Sequence, residues 1–449
     1  MTQPQPSQSD FFKLAIPNIL TNLCVPLAGL IDIALLGHLP DITPLAGVAL
    51  AGLIFDFSYW GFGFLRMSTT GLTAKAFGAK DRANSAAIFF RAMAVGLGAG
   101  LVLVALQWPI SAIGFGILNG GPEVEAAGKL YFGARIWGAP ATMFGYVIVG
   151  WLLGRQRSKD ALLYALTLNG LNIFLDWVFI YRFGWGARGA GLATMLAEVT
   201  ACLLGLLLVR RAWKGLPGFD IGFLKDRGAF KRLMILNGNI MVRTFCLITT
   251  FAVFTNLSAG FGAVLLAANT ILLKLLNTAA YFIDGFAFAL ESLAGRFAGE
   301  ENWLATRRSL RMALGWNLAA VALFLFGFHF FETEILGTLT AHEEVIEAGV
   351  KYLPWVSCCL LLSGFAYIYD GFFIGLADGA RLRVSMMWST LVGFLPLAMW
   401  SYSAKLPMVL WVAMVSFMAI RSATLGWGAR QFFKHQLDEG PPQIAGAAV

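Results

Sequence analysis

Acidic and amide side chains inside otherwise apolar stretches are the residues of this 449-residue chain best suited to chemistry. Asp32 lies in the run 11–39, which is long enough to cross a bilayer and also contains Pro17 and Pro26. An ionised Asp near the bilayer centre costs about 2.5–3.5 kcal/mol on insertion scales, so such residues usually face inward and mark an ion path or proton relay. Each proline removes one backbone donor, which lets a helix bend. The run therefore predicts a helix that carries a titratable group and a gating kink at Pro17 and Pro26.

A second polar set follows in a later apolar run. Asn172 and Asp176 are four residues apart, and Asn169 is three residues before Asn172, so the three side chains share one helix face. Asp32 and Asp176 both fall nearer the outer ends of helices that run in opposite directions, so we expect them to meet. Two adjacent carboxylates repel each other when both are charged, which favours uptake of one proton. The alternative is that each side chain only caps a loosened backbone.

The remaining intramembrane polar residues are more consistent with structural pairing. In the first half, Asp56, Arg66 and Glu198 form a supporting polar set in which Arg66 can extend towards the membrane surface and Glu198 can pair with a cation. In the second half, cations and carboxylates in the middle of spans favour ion pairs such as Lys274 with Asp284. The alternative is that the cations form a surface that binds acidic groups of a substrate. The second-half candidates are Arg243, Lys274, Asn277, Asp284, Glu291, Asp370 and Arg421.

Composition identifies the elements that position these residues. The chain is 58% apolar and 13% charged, with a mean hydropathy of +0.71, whereas soluble domains are about 25% charged. We therefore predict an all-α polytopic membrane protein. Apolar runs of about 20 residues or more predict twelve spans. Their approximate limits are 11–37, 44–70, 84–108, 124–150, 161–183, 188–210, 232–257, 263–290, 306–331, 344–373, 382–403 and 408–429.

The basic residues of the loops predict the orientation. Most of them fall on one side, and the opposite side has only Lys129, Arg182, Arg188, Lys351 and Lys405. This asymmetry predicts that both termini lie in the cytoplasm. We expect the protein in the plasma membrane, or in the inner membrane if the cell is Gram-negative. Membrane orientation explains the net charge of +8 better than a nucleic-acid partner does.

The polar loop 213–230 divides the chain into two sets of six spans. Gly150 and Gly154 fall opposite Gly371 and Gly375 at an offset of 221, and Pro17-Asn18-Ile19 falls opposite Gly238-Asn239-Ile240 at the same offset. Phe77 and Arg91 fall opposite Phe297 and Arg311 at an offset of 220. We therefore predict two parallel six-helix repeats. The predicted parts are a first lobe at 1–212, a cytoplasmic linker at 213–230, a second lobe at 231–434 and a cytoplasmic tail at 435–449.

Enzyme, metal and cofactor sites are not indicated. The five cysteines lie in apolar runs, and the four histidines lack ligand spacing. The segment 184–189 matches G-x-G-x-x-G but lies between two predicted membrane helices, where no βαβ unit can form. No Walker sequence or nucleophile motif occurs, which argues against an ATP-driven pump and an intramembrane enzyme. Repeated filter residues typical of a channel are also missing.

Several motifs together resemble the multidrug and toxic compound extrusion (MATE) family, and most closely its DNA-damage-inducible F (DinF) branch. They are GLIDIALLGHL at 29–39, Asn172-x-x-x-Asp176, Gly184-x-Gly186-x-x-Gly189-Ala190, DGFFIG at 370–375 and Arg383-x-Ser385-Met386. The resemblance implies a V-shaped, two-lobe antiporter that works by alternating access. Such proteins export organic, often cationic or amphipathic compounds in exchange for H⁺ or Na⁺.

The same resemblance assigns ion coupling to Asp32, Asn172 and Asp176. Some relatives add a Na⁺ site based on a seventh-span Glu, but here that span has no carboxylate and contains Arg243. We therefore expect protons as the coupling ion, no other cofactor and function as a monomer, with Na⁺ coupling and a flippase for lipid-linked substrates as alternatives.

Overall fold

The computed structural model describes residues 5–118 and 120–438, so most of the predicted tail 435–449 lies outside the described residues. Within these ranges the chain is helical, and twelve helices are long and apolar enough to cross a membrane. The predicted all-α fold with twelve spans is confirmed. Spans 1–6 are Gln8–Gly37, Thr43–Gly78, Arg82–Ala105, Pro122–Gly154, Ser158–Arg182 and Gly186–Ala212. Spans 7–12 are Arg227–Ala259, Ala263–Gly299, Trp303–Phe330, Glu343–Gly375, Gly379–Ala404 and Pro407–Leu437.

Four spans contain irregular turns, and glycine or proline accounts for three of them. Span 2 is interrupted by a turn between Gly61 and Gly63, and span 4 has a 3₁₀ turn at Ile136–Gly138 just before Pro140. Span 11 widens into a π-helical turn at Ser389–Phe394, where Pro396 cannot donate to the preceding turn. Span 5 ends in a similar π-helical turn directly after Asp176, a feature that often marks functional sites.

The described chain forms two compact units. The N-terminal unit is Ile16–Asn237, and the C-terminal unit contains the start of the chain up to Ala15 together with the residues from Gly238 onward. Spans 1 and 7 therefore each contribute to both units. The change of unit falls next to Pro17 in span 1 and at Gly238 in span 7, two positions related by the 221-residue offset.

Backbone geometry confirms the predicted repeat. Lys80 and Glu301 are 221 residues apart and have φ values of 55° and 54°, and Gln156 and Ala377 have the same separation with φ values of 59° and 56°. Left-handed backbone is uncommon for residues other than glycine, so paired occurrences at one offset indicate equivalent turns. These turns end spans 2, 4, 8 and 10 in the same manner.

The structure corrects the offset of 220 at the loop between spans 2 and 3. Span 2 ends at Gly78 and span 8 at Gly299, and the following helices begin with equivalent caps. The Asp81 side chain accepts a hydrogen bond from the backbone N–H of Asn84, and the Asn302 side chain accepts one from Ala305. These pairs are related by 221 residues, so the match of Arg91 with Arg311 is out of register by one residue.

Candidate ion-coupling site

The structure brings Asp32 and Asp176 together inside the N-terminal unit. Asp32 follows Pro26 in span 1, and Asp176 is the last residue of span 5 before its π-helical turn. The two carboxyl groups are close enough to interact directly, and Asp176 is only 2% exposed. One carboxyl oxygen of each residue has no hydrogen-bond partner among the described residues. These oxygens are therefore available to a proton or a small cation.

Asn172 orients this pair from the same face of span 5. Its amide Nδ2 donates to Oδ2 of Asp176 at 2.8 Å and approaches the hydroxyl of Thr194 at 3.4 Å. The Thr194 hydroxyl in turn donates to the carbonyl oxygen of Ala190. Thr194 of span 6 thus positions the Asn172 amide, which in turn positions the Asp176 carboxylate. The predicted association of Asn172 with Asp176 is present in the structure.

Asn169 lies outside this cluster. Its Nδ2 donates to the carbonyl oxygen of Ala165 at 2.8 Å, one turn earlier in the same helix. The spacing of three residues puts Asn169 on nearly the same face as Asn172, but the local backbone bond occupies its amide. We therefore separate Asn169 from the residues that interact with the carboxyl pair.

Arg135 of span 4 is a charged residue of the site that the sequence analysis missed. Its Nη1 donates to the hydroxyl of Tyr131 at 2.9 Å, its Nη2 lies 3.7 Å from Oε1 of Glu198, and its guanidinium covers the Phe55 ring at 4.4 Å. A charged side chain inside an apolar run was a signal that could have identified it. Its partners on spans 2 and 6 could not be read from local sequence.

Glu198 is buried beside Arg135, in line with the structural pairing expected for it. Gly138 provides the space, because a methyl group added there would collide with Oε2 of Glu198. The positive charge of Arg135 also acts on Asp32 and Asp176. When all four groups are ionised, the cluster therefore has three negative charges and one positive charge.

This charge balance defines what the site can do. In a medium of low effective dielectric constant, close like charges are costly, so the excess negative charge favours binding of a proton or a monovalent cation. Arg135 is already paired with Glu198, which leaves Asp32 and Asp176 as the groups free to change their charge. The arrangement is suited to reversible proton binding.

Asp56 and Arg66 both lie on span 2. Asp56 is exposed on span 2, although the charge of Arg135 still reaches it. Arg66 is half-buried beyond the break in that span, and its carbonyl oxygen accepts a hydrogen bond from the Thr70 hydroxyl. The structure therefore keeps Asp56 at the edge of the site.

The predicted kink residues lie inside one continuous helix. Span 1 is helical from Gln8 to Gly37 through both Pro17 and Pro26. The Thr21 hydroxyl donates to the carbonyl oxygen of Pro17 at 2.8 Å. Because proline has no N–H, Pro26 donates no backbone hydrogen bond to the preceding helical turn. The turn before Asp32 is therefore weaker than a regular helical turn.

The C-terminal unit contains a different charged cluster. Asp370 of span 10 accepts hydrogen bonds through Oδ2 from Nη2 of Arg243 and from Nη2 of Arg421, and all three side chains are buried. The expected pairing of Lys274 with Asp284 is wrong. Ten residues of continuous helix separate the two by about 15 Å, beyond the reach of their side chains, and Lys274 is exposed.

Within the described residues, no group of three or more His, Cys, Asp or Glu side chains could hold a metal ion. The buried ion pairs described above form two clusters, one in each unit. They differ in sign, since the N-terminal cluster has an excess of carboxylates and the Asp370 cluster has two arginines on one carboxylate.

Comparison with known proteins identifies the family of the chain. The model of the MatE family matches residues 17–178 and 240–400, which covers five spans of each repeat. DNA damage-inducible protein F of Escherichia coli (strain K12) is 34% identical over 429 residues, covering 93% of this chain and 91% of that protein. A probable multidrug resistance protein NorM of Thermotoga maritima is 25% identical over 361 residues, covering 77% of this chain and 75% of that protein.

Solved structures share the fold. A multidrug resistance MATE family transporter of the MOP superfamily in an outward-facing conformation superposes with a TM-score of 0.83 at 20% identity and covers 95% of each chain. A MATE protein in a bent conformation gives a TM-score of 0.85 at 20% identity, covering 96% of this chain and 97% of that one.

Proposed function

Because the chain belongs to the MatE family of multipass membrane transporters, we propose that it exports organic compounds in exchange for protons bound at Asp32 and Asp176. The observation that carries the proposal is the direct approach of these two carboxyl groups, with Asn172 donating to one of them. Each carboxyl group has an oxygen free of hydrogen bonds to the described residues, which a proton can occupy.

Proton binding would act on the conformation of span 1. A proton on the pair removes the repulsion between Asp32 and Asp176 and changes the force on the helix beyond Pro26. Pro26 donates no backbone hydrogen bond to the preceding turn, so this region is the part of the helix that bends most readily. Protonation shifts the balance between inward-open and outward-open states only if the two states bind the proton unequally. We propose that bending at Pro26 creates that difference.

The C-terminal unit supports protons over Na⁺ as the coupling ion. Span 7 contributes Arg243 to the buried Asp370 cluster, and that cluster already has two cations on one carboxylate. A further cation would be repelled there. The acidic cluster of the N-terminal unit also favours cationic or amphipathic substrates, which would compete with protons for negative charge.

The orientation belongs to the same proposal. The loop charges favour an orientation with both termini in the cytoplasm, and we propose that the transporter lies in the plasma membrane. The carboxyl pair and its partners lie within one unit of one chain, which supports a functional monomer.

The test is substrate export from proteoliposomes loaded with a fluorescent organic cation, driven in turn by an imposed pH gradient and an imposed Na⁺ gradient. Asp32→Asn and Asp176→Asn should each lower export driven by the pH gradient by roughly tenfold or more, which corresponds to about 1.4 kcal/mol. Asp41→Asn is the matched control, because Asp41 is an exposed carboxylate in the loop directly after span 1. Its rate should stay close to that of the wild type.

Two outcomes would refute the proposal. Unchanged coupling in Asp32→Asn with normal thermal stability would show that the carboxyl pair does not bind the driving ion. Export that follows the Na⁺ gradient and ignores the pH gradient would establish Na⁺ coupling instead.

A further inference from the structure

A groove of about 460 Å³ opens on the N-terminal unit where span 3 begins and span 6 ends. Its lining includes the apolar side chains of Phe90, Leu206 and Trp213, and two cations, Arg210 and Lys214. Its volume is in the range of about 300–1,000 Å³ typical of sites for small organic ligands. The groove is distant in sequence from the carboxyl pair and has no role in the proposed proton coupling.

The apolar floor of this groove is held in place by aromatic packing. The indole of Trp213 stacks on Trp151 with centroids 5.5 Å apart and meets the edges of Phe89 and Phe90 at 5.4 Å and 5.3 Å. Its Nε1 donates to the carbonyl oxygen of Pro217 at 3.0 Å. The floor is therefore a preorganised surface that does not need to be assembled when a ligand binds.

The two basic residues of the groove point to an anionic ligand. Arg210 and Lys214 are four residues apart, both are exposed, and neither forms an ion pair with a residue that the structure describes. Nη1 of Arg82 lies 3.5 Å from the carbonyl oxygen of Gly215, which brings a third cation beside Lys214.

Further arginines lie near this end of the unit, where the Arg155 guanidinium packs over Trp151, the ring on which Trp213 stacks. Burial lowers the pKa of the Arg155 guanidinium, and the charges of Arg157 and Arg82 lower it further. A cationic export substrate would be repelled from such a surface.

We propose that this groove binds one phospholipid with an anionic headgroup, of the phosphatidylglycerol type. The groove lies at the end of two spans, so its cations are at headgroup level while Leu206 and Phe90 face the acyl region. The phosphodiester lies between Arg210 and Lys214, and an acyl chain covers the aromatic floor. Basic pockets between membrane helices recognise anionic headgroups in this manner.

Other ligands fit the groove less well. Inorganic phosphate would leave the apolar floor exposed to water, and the ammonium of a zwitterionic lipid would face the cations of the rim. An anionic lipid satisfies both parts of the groove.

The bound lipid would also hold the start of the linker. Trp213 and Lys214 belong to the linker between the repeats, whereas Phe90 and Leu206 belong to spans 3 and 6. Further along, Arg91 fixes the linker by donating through Nε to the carbonyl oxygen of Phe223 at 2.7 Å. A lipid in the groove therefore adds a further attachment of the linker to the N-terminal unit.

Native mass spectrometry of the purified full-length protein, titrated with phosphatidylglycerol or phosphatidylcholine, tests the proposal. The wild type should retain one phosphatidylglycerol in preference to phosphatidylcholine, with an accompanying rise in thermal stability. Arg210→Gln with Lys214→Gln should weaken retention by roughly 30-fold, from about a fivefold effect of each cation. Leu206→Trp should abolish retention, because the larger side chain occupies the space above the aromatic floor while both cations remain in place.

Matched controls distinguish a specific site from general attraction. Arg430→Gln with Lys434→Gln removes two exposed cations with the same spacing from the end of span 12, and Leu203→Trp enlarges an exposed residue of span 6 outside the groove. Both controls should retain the lipid like the wild type. The proposal would be overturned if a control variant lost as much lipid as the groove variant to which it is matched. Equal retention of phosphatidylglycerol and phosphatidylcholine by the wild type, or displacement of the lipid by millimolar inorganic phosphate, would also overturn it.

Discussion

Gly150 of span 4 and Gly371 of span 10, 221 residues apart, make the same close contact in the two repeats. A methyl group added to Gly150 would lie 2.5 Å from the carbonyl oxygen of Arg66, and one added to Gly371 would lie 2.5 Å from that of Ala287. Arg66 and Ala287 are themselves related by the same offset. Each repeat therefore packs its fourth helix directly on the backbone of its second, and only glycine permits that distance.

We expect Gly150→Ala and Gly371→Ala each to destabilise the protein by about 1–3 kcal/mol, because the added methyl group forces two backbones apart. Thermal unfolding in a mild detergent measures the change. Gly98→Ala is the control, since nothing lies within 4 Å of the added methyl group and alanine favours a helix over glycine by about 1 kcal/mol. The explanation fails if Gly150→Ala unfolds at the same temperature as Gly98→Ala.

Most span limits could be predicted because continuous apolar sequence determines where a chain crosses a bilayer. The prediction for span 8 ended at 290, whereas the helix continues to Gly299. Glu291 and Arg296 interrupt the apolar pattern there, yet Glu291 is fully buried by neighbouring helices. Hydropathy predicts contact with lipid but not burial against other helices. A prediction from hydropathy therefore places the end of such a helix too early.

The candidate site was predictable only in part. Depth and helix direction were enough to bring Asp32 and Asp176 together, whereas Arg135 and Asp370 have partners that depend on how distant spans pack. Asp370 is separated from Arg243 by 127 residues and from Arg421 by 51. The incorrect pairing of Lys274 with Asp284 came from proximity in sequence.

Asn172→Leu should impair proton-driven export roughly tenfold or more. The substitution removes the donor to Oδ2 of Asp176 and leaves a buried carboxyl oxygen without a partner, which should also lower stability by about 1–3 kcal/mol. Export from proteoliposomes and thermal unfolding measure the two effects. Asn169→Leu is the control, because the Asn169 amide bonds to the carbonyl of Ala165 and lies outside the cluster. Equal losses in the two variants would contradict the assigned role of Asn172.

Acid should loosen the linker through Asp226. A hydrogen bond from the backbone N–H of Ala229, assisted by the charges of Arg91 and Arg232, holds the pKa of this carboxyl below its usual value. The stability that ionised Asp226 gives to the folded linker is therefore complete above its unfolded pKa of about 3.9. This stability is lost as the pH falls through the lower pKa of the folded state. Amide hydrogen exchange of residues 222–230, corrected for intrinsic rates, measures this loss.

Asp226→Ala should show, near neutral pH, the faster exchange that the wild type reaches only below about pH 4. Asp41→Ala provides the comparison, since Asp41 caps the distant start of span 2. If the linker amides of Asp226→Ala exchanged as slowly as those of the wild type at both pH values, Asp226 would have no role in stabilising the linker.

Asp370→Asn should be the most destabilising single substitution considered, at about 3–5 kcal/mol, because it leaves Arg243 and Arg421 buried against a neutral amide. The half-exposed pair of Asp378 with Arg381 supplies the control, and Asp378→Asn should change stability by less than about 1 kcal/mol. Replacing all three buried residues, with Arg243→Met, Asp370→Leu and Arg421→Met, should recover most of the loss, since apolar replacements of a complete buried ion cluster are often neutral or stabilising. Chemical unfolding of the three variants measures these differences, and an Asp370→Asn protein as stable as the wild type would mean that the two arginines are balanced by another group.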